Sequence, residues 1–383
     1  MAKAALPPLL KDMNERTVLE TIRAGAPISR AEISRRAGIS KPTVSLALQA
    51  LLEAGLVRET KPDPGRPTYG AVYFDLVPEA GLVLGLDLGA RFLRGAICDL
   101  RGEVRARQDV EVTASEPEAI VEAIAALRTS LVEATGLAGG LLNGAVVGVP
   151  GVVDAATGVI RMTHFTTLEG HALRDELTER LELRVTLDND INLAALGEQW
   201  RGIARGVEDF AFLSVGTGLG AGLVLRGELY RGRNGAAGEV DQVSVGFGED
   251  FDPCASAVSA LAERLATGAV TTLTPPYDAR AIFGAARTGD AVARQVVAEE
   301  ARRIALHVAP IAAVTDVALV VIGGGIGANG DLLLDPIRAL LATWLPLPPQ
   351  VEVSMLGEAA VLTGALALGR RFAVDSVFAT RRG

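Results

Sequence analysis

The chain has 383 residues, of which 49% are hydrophobic and 22% charged, the balance of a globular protein with large cores and enough length for two or three domains. Global disorder is excluded, and no apolar run reaches the roughly 18 uncharged residues of a membrane span. The short apolar start, broken by Pro7 and Pro8, does not read as a signal peptide, so a cytoplasmic location is expected. Two cysteines, Cys98 and Cys254, and three histidines supply neither a disulfide framework nor a four-cysteine zinc site. The net charge of −9 is unevenly spread: residues 1–78 carry 11 Lys and Arg against 8 Asp and Glu, the remainder 26 against 38. A basic module precedes an acidic body, which suits an amino-terminal segment that meets a polyanion.

In chain order, Asn14 is expected to cap a helix holding Val18, Leu19 and Ile22 that closes near Gly25 and Pro27. Ser29-Arg30-Ala31-Glu32 fits a capping box, with Glu32 reaching back to the Ser29 amide, and the short helix it opens ends at Gly38. Ser40 caps a third helix, whose first turn tolerates Pro42. Val44, Leu48, Leu51 and Leu52 form its buried stripe, and Lys41, Ser45 and Gln49 share the opposite face. Leu56-Val57-Arg58-Glu59 and Ala71-Val72-Tyr73-Phe74 read as strands around a Pro/Gly-rich loop containing Arg66. Helix, turn, helix and wing together predict a DNA-binding domain over residues 1–78. Lys41, Ser45 and Gln49 would reach base edges in a major groove, Thr43 a phosphate, and Arg66 a narrow minor groove.

From residue 82 onward, apolar strands alternate with longer helical patterns, predicting an α/β body over 79–383. A loose internal repeat runs through it. Leu84-Gly85-Leu86-Asp87-Leu88-Gly89 opens a strand pair turning near Arg101-Gly102, and Leu213-Ser214-Val215-Gly216-Thr217-Gly218 opens another turning near Arg226-Gly227. Two lobes built alike, facing each other across a cleft, would follow.

The amino-terminal segment resembles the winged helix-turn-helix of ROK-family transcriptional regulators, through Asn14, Ser29-Arg30-Ala31-Glu32-Ile33, Gly38-Ile39-Ser40, Thr43-Val44-Ser45 and Gly65-Arg66-Pro67. The body resembles the ROK sugar-kinase domain in six segments that fall in the family's order. They are Leu86-Asp87-Leu88-Gly89, Val147-Gly148-Val149-Pro150-Gly151, Asp188-Asn189-Asp190-Ile191-Asn192, Gly216-Thr217-Gly218-Leu219-Gly220, Gly238-Glu239 and Ile322-Gly323-Gly324-Gly325-Ile326-Gly327. The resemblance implies a two-lobed actin-like (ribonuclease H-like) fold. It places Asp190 where a sugar kinase has its general base, with Asn189 and Glu239 near sugar hydroxyls. Asp87, Gly89, Gly216, Thr217, Gly218, Gly324 and Gly325 fall on its nucleotide loops.

The sequence also departs from the family. Ala90-Arg91-Phe92 follows Gly89 where the family has glycine, threonine and often lysine, so the first phosphate loop lacks its hydroxyl and its lysine. Gln242 stands where the family has a zinc-binding histidine, and the cysteine cluster is reduced to Cys254-Ala255-Ser256. One thiol cannot hold a structural zinc that needs four ligands, so no metal is expected. His164 and Leu168 replace an asparagine and a tryptophan of the sugar loop.

These features predict a sugar-responsive regulator, a repressor of carbohydrate uptake or catabolism genes, acting as a homodimer or higher homo-oligomer on a near-palindromic operator. His164, Asn189, Asp190, Glu239 and Gln242 would line its sugar pocket without catalysis; no cofactor is expected, and the sequence leaves ATP–Mg binding open. A working sugar kinase with a DNA-binding appendage, using Asp190 as base, is the alternative from another class. A regulator whose cleft takes a protein partner, or nothing, is the third.

Overall fold

The computed structural model describes residues 7–61, 71–113, 115–137, 142–154, 156–163, 165–244 and 251–379. Its first unit runs α1 (Pro7–Gly25), β1 (Ile28–Ser29), α2 (Arg30–Ala37), α3 (Lys41–Glu53), β2 (Val57–Thr60) and β3 (Tyr73–Leu76). The three strands form one antiparallel sheet with β3 in the middle. Helix α1 begins at Pro7 rather than after Asn14, which lies inside it. Proline is tolerated in a first helical turn because that turn has no amide partner to lose. The caps of α2 and α3 form as the sequence predicts: Ser29 accepts from the Glu32 amide and Ser40 from the Thr43 amide, both at 3.4 Å. The reciprocal half of the capping box does not form. The Glu32 carboxylate instead accepts from Arg36 Nε at 2.7 Å and from Arg35 Nε at 2.8 Å, and these guanidiniums hold its pKa down at about 2. Gly38 closes α2 with a left-handed φ of +67°, a conformation that favours glycine.

The body holds two five-stranded sheets. The first comprises β4 (Leu82–Leu88), β5 (Phe92–Asp99), β6 (Val104–Glu111), β7 (Leu142–Val149) and β10 (Val185–Asn189), with α4 (Pro117–Thr135), the short pair β8 (Val152–Val153) and β9 (Ile160–Arg161), and α5 (Leu173–Leu181) between them. Helix α6 (Asp190–Arg201) follows. The second sheet comprises β11 (Phe210–Val215), β12 (Leu219–Leu225), β13 (Glu228–Tyr230), β14 (Leu319–Gly323) and β15 (Gln350–Val353). Around it lie α7 (Ala255–Ala266), α8 (Ala279–Thr288), α9 (Ala291–Thr315), α10 (Gly324–Gly327) and α11 (Gly330–Trp344), and α12 (Ala360–Ala379) ends the described chain.

Each sheet is a three-stranded antiparallel meander extended on the side of its first strand by two parallel strands, in the orders β6-β5-β4-β7-β10 and β13-β12-β11-β14-β15. The loose sequence repeat is therefore a structural duplication. The central strands β4 and β11 are almost wholly buried, while the outer strands β6 and β13 are largely exposed. Helices α6 and α12 lie between the lobes. Leu193 and Leu196 pack with Val146 of the first sheet, and Ala194 and Ala195 with Phe210 and Phe212 of the second. The winged unit has no separate core. Ile22, Val44, Leu48, Leu51 and Phe74 share one buried cluster with Val83, Cys98, Leu362, Leu366 and Val374 of the body.

Candidate functional site

The cleft site is assembled at strand ends and a helix start. Asp188 and Asn189 end β10, and Asn189 caps α6: its Oδ1 accepts from the amides of Ile191 at 2.8 Å and Asn192 at 3.0 Å. Its Nδ2 donates to the Gly151 carbonyl at 3.0 Å. The residue expected to meet sugar hydroxyls thus commits its acceptor and one donor to the protein, and it orients Asp190 at the first helical position. Asp188 is buried behind it, accepting from its own neighbour's amide at 3.0 Å and from Arg231 Nε at 3.1 Å.

Asp190 carries the site's electrostatic signature. Burial, reinforced by the charges of Asp87 and Glu239, pushes its pKa up to about 7. Asp87, at the end of β4, is also raised, to about 6, by burial that the neighbouring Arg94 only partly offsets. Burial and the nearby Asp241 raise Glu239 as well. Three carboxyl groups from three separate segments therefore share one partly dehydrated region, the arrangement expected of a functional cleft. Gly238 sets the third. Its φ is +99°, and a Cβ there would lie 1.8 Å from the Ala221 carbonyl oxygen, so only glycine brings Glu239 this close to β12.

Gln242 is exposed, and its Nε2 donates to Asp241 Oδ2 at 3.0 Å. His164, the remaining predicted sugar ligand, lies outside the described residues. Gln242, Cys254 and Ser256 do not make a zinc donor set, and among the described residues no group of three or more His, Cys, Asp or Glu is disposed to hold a metal. The Cys254 amide donates to Asp252 Oδ1 at 2.8 Å, and Arg303 Nη1 donates to the Asp252 carbonyl at 2.8 Å, tying the segment before α7 to α9.

The glycine loops differ between lobes. In the first, the Gly89 amide donates to the Phe92 carbonyl at 3.0 Å. The Phe92 ring lies beneath Arg91 and Arg94, at 5.1 and 5.6 Å from their guanidinium carbons. Arg94 bonds Asp87 at 3.3 Å and Glu358 at 3.0 Å. This loop does not fit a metal-bound phosphate, since a guanidinium already pairs with the aspartate and neither a hydroxyl nor a lysine follows Gly89. No motif in the sequence marks Arg94, although the β4–β5 register, which pairs Asp87 with Arg94, carries the signal. In the second lobe the Gly216 amide donates to the Gly218 carbonyl at 3.0 Å, leaving Thr217 exposed. Gly324 adopts φ +82° against Val215, and Gly325 faces open space.

On the winged unit, α3 presents Lys41 and Gln49 at its surface, with Thr43 and Ser45 half-buried. Ser45 Oγ donates to the Lys41 carbonyl at 2.9 Å, Thr43 Oγ1 lies 2.8 Å from Ser40 Oγ, and Gln49 Nε2 donates to Glu53 at 3.0 Å. Lys41, Ser45 and Gln49 thus share one face, as predicted, while Arg66 lies outside the described residues. Leu46, 69% exposed beside Gln49, is an apolar addition to this surface that the sequence reading did not single out.

A winged helix joined to a two-lobed α/β body of the actin-like type, with an acidic cleft at the second lobe's boundary, defines the class. Residues 83–371 match the ROK family model, and residues 10–66 match the MarR family model. The chain belongs to the ROK family. It is 28% identical to a putative xylose repressor of Caldicellulosiruptor sp. (strain Rt8B.4), over 94% of this chain and 96% of that protein. It is 30% identical to a glucokinase of Streptomyces coelicolor, over 76% of this chain and 98% of that protein. In fold it matches the crystal structure of a ROK family transcriptional regulator, a homolog of the E. coli MLC protein, with a TM-score of 0.83 at 22% identity over 97% and 98% of the two chains. The ROK glucokinase of Streptomyces griseus, in complex with glucose and AMPPNP, matches with a TM-score of 0.65 at 29% identity, over 76% of this chain and 100% of that one. No helix among the described residues is long and apolar enough to cross a membrane.

Proposed function

We propose that this chain is a sugar-responsive transcriptional repressor. Residues 1–78 bind DNA, and the body over residues 79–383 binds a sugar in its cleft without phosphorylating it. The observation that carries this reading is the continuous core between the winged sheet and the body, where Phe74 and Leu76 pack in one cluster with Leu362, Leu366 and Val374. A change in lobe angle cannot stop at the domain boundary when that boundary is filled with interlocked side chains. Sugar binding moves DNA affinity by as much as the ligand's preference for one lobe angle over the other.

In the cleft, Asp190 and Glu239 accept hydrogen bonds from sugar hydroxyls, Asn189 positions Asp190, and His164 and Gln242 are further sugar ligands. Phosphoryl transfer also needs a phosphate clamp. The Arg94–Asp87 pair and Phe92 stand in its place, which favours a binding cleft over a kinase. On DNA, a homodimer presents two copies of α3 to half-sites of a near-palindromic operator, with Lys41, Ser45 and Gln49 toward base edges, Thr43 toward phosphate and Arg66 toward a narrow minor groove.

Names among the relatives make xylose and glucose the sugars to try first. Anisotropy of a labelled duplex from upstream of the protein's own gene should show binding whose affinity shifts when one of these sugars is added. Asp190→Ala should bind the duplex equally well and lose the shift. An unchanged sugar response in Asp190→Ala would overturn the cleft assignment, and sugar-dependent ATP turnover abolished by Asp190→Asn would establish the kinase instead.

A further inference from the structure

Away from the cleft, a cavity of about 360 Å³ opens where the winged unit meets the body. Its walls come from three helices. Glu20 and Arg23 belong to α1, Leu196, Gln199 and Trp200 to α6, and Ala367, Leu368, Arg370, Arg371 and Val374 to α12, with Arg205 entering from the segment after α6. The acidic body here gathers positive charge. Arg201 also lies against this cluster, its guanidinium 4.3 Å from the Trp200 ring centroid, while Arg370 lies 4.4 Å from the same centroid.

Among the described residues, few carboxylates answer these arginines. Glu20 accepts from Arg23 Nε at 2.8 Å. Glu103 lies 3.8 Å from Arg201 and Glu228 3.9 Å from Arg371, both loose surface contacts. Among the described residues no carboxylate pairs with Arg205 or Arg370. Arg370 donates only to the Arg101 carbonyl, at 3.3 Å. Its pKa falls to about 10 through burial, with repulsion from Arg23 next. Clustered cations in a concave, partly apolar site repel one another until an anion joins them. Guanidinium forks suit a phosphate's paired oxygens. The floor of Leu196, Ala367, Leu368 and Val374 can hold the ligand's remainder, and the volume falls within the usual range for small-molecule sites.

We propose that this cavity is a second effector site, which takes a small phosphate-bearing molecule through Arg205, Arg370 and Arg371 and joins α1 of the winged unit to α6 and α12. The site is independent of the cleft sugar, and its occupant bears on the angle at which the winged unit is held.

The chain's two tryptophans make the test direct, since Trp200 lies in the cavity wall and Trp344 on the surface of α11. In a Trp344→Phe background, full-length protein is titrated with glycerol 3-phosphate, inorganic phosphate and potassium chloride at matched ionic strength, and Trp200 fluorescence is read. A saturable change with the phosphate probes, absent with chloride, is the expected result. Tighter binding of glycerol 3-phosphate assigns a phosphomonoester, and equal affinities assign phosphate itself. Both Arg205 and Arg371 are exposed, so the Arg205→Gln/Arg371→Gln variant should keep its fold while its affinity weakens about tenfold or more. Absence of a saturable change, an equal response to chloride, or an unchanged affinity in the double variant would each overturn the site.

Discussion

The two lobes share one strand order, yet their corresponding hairpins have been put to different use. In the second lobe, the β11–β12 turn is all glycine and threonine, Thr217 is exposed, and Gly325 faces open space beside it. In the first, the β4–β5 turn has the same place in its meander, but Phe92 lies beneath two guanidiniums and Arg94 holds Asp87. Backbone shape at such a turn belongs to the fold, since the strands must reverse there whatever the protein does. Phosphate chemistry belongs to two or three side chains. A lobe can therefore lose the chemistry and keep the turn, and a glycine motif alone is weaker evidence of nucleotide binding than the side chains beside it.

The largest effect in this comparison should come from the element that lets the second lobe reach the acidic cleft. Gly238→Ala forces a Cβ against the Ala221 carbonyl at a left-handed φ. It should lower stability by about 2–4 kcal/mol in a denaturant melt and remove the sugar-dependent shift in DNA affinity. Retention of both would mean that Glu239 is not held as described.

A smaller effect, of opposite sign, is expected at the first residue of α6. Asp190 has a folded pKa of about 7 against an ordinary 3.8, so the folded state binds its proton more tightly than the unfolded chain does. The stabilisation this provides is complete below the ordinary value and is lost as pH rises toward 7. Asp190→Asn should therefore stabilise the protein at pH 8 by about 1–2 kcal/mol, less than the full shift implies because the side chain is partly solvated. Near pH 4 the variant and the parent should melt together. A variant no more stable than its parent at pH 8 would show that Asp190 ionises without strain.

The smallest effect should fall on the open turn of the second lobe. Thr217→Ala changes an exposed hydroxyl and should alter stability by less than about 0.5 kcal/mol, with no loss of sugar response. A clear loss of response would show that this loop remains in use, and the contrast between the lobes would have to be redrawn.

Much of this arrangement is legible in the sequence. Caps at Ser29 and Ser40 and the stop at Gly38 are local signals, and they fix α2 and α3. Strands β2 and β3 begin one and two residues later than their apolar patterns suggest, the usual uncertainty at element ends. The start of α1 is less legible, because an asparagine that could cap a helix can also sit inside one. At the cleft, the family resemblance and not the residue types marks Asp190 and Glu239, since Asn-Asp alone reads as a turn, and the capping role of Asn189 appears only once α6 is seen to begin behind it. Arg94 needs the strand register as well. The arginine cavity lies further from reach, since Arg23, Arg205, Arg370 and Arg371 come from widely separated stretches of chain.

Helices α6 and α12 meet backbone to backbone. A Cβ on Gly197 would lie 2.3 Å from the Ala360 carbonyl oxygen, and one on Gly364 would lie 1.7 Å from that of Leu193. Such a contact fixes the distance between the two helices, and Leu193 and Leu196 of α6 pack with Ala365 and Leu368 of α12 beside it. Helix α6 starts at Asp190 in the cleft and reaches Trp200 beside the winged unit, about 15 Å further along at 1.5 Å per residue. The glycine pair thus joins α6 and α12 into one strut, with one end at Asp190 in the cleft and the other at Trp200 beside the winged unit.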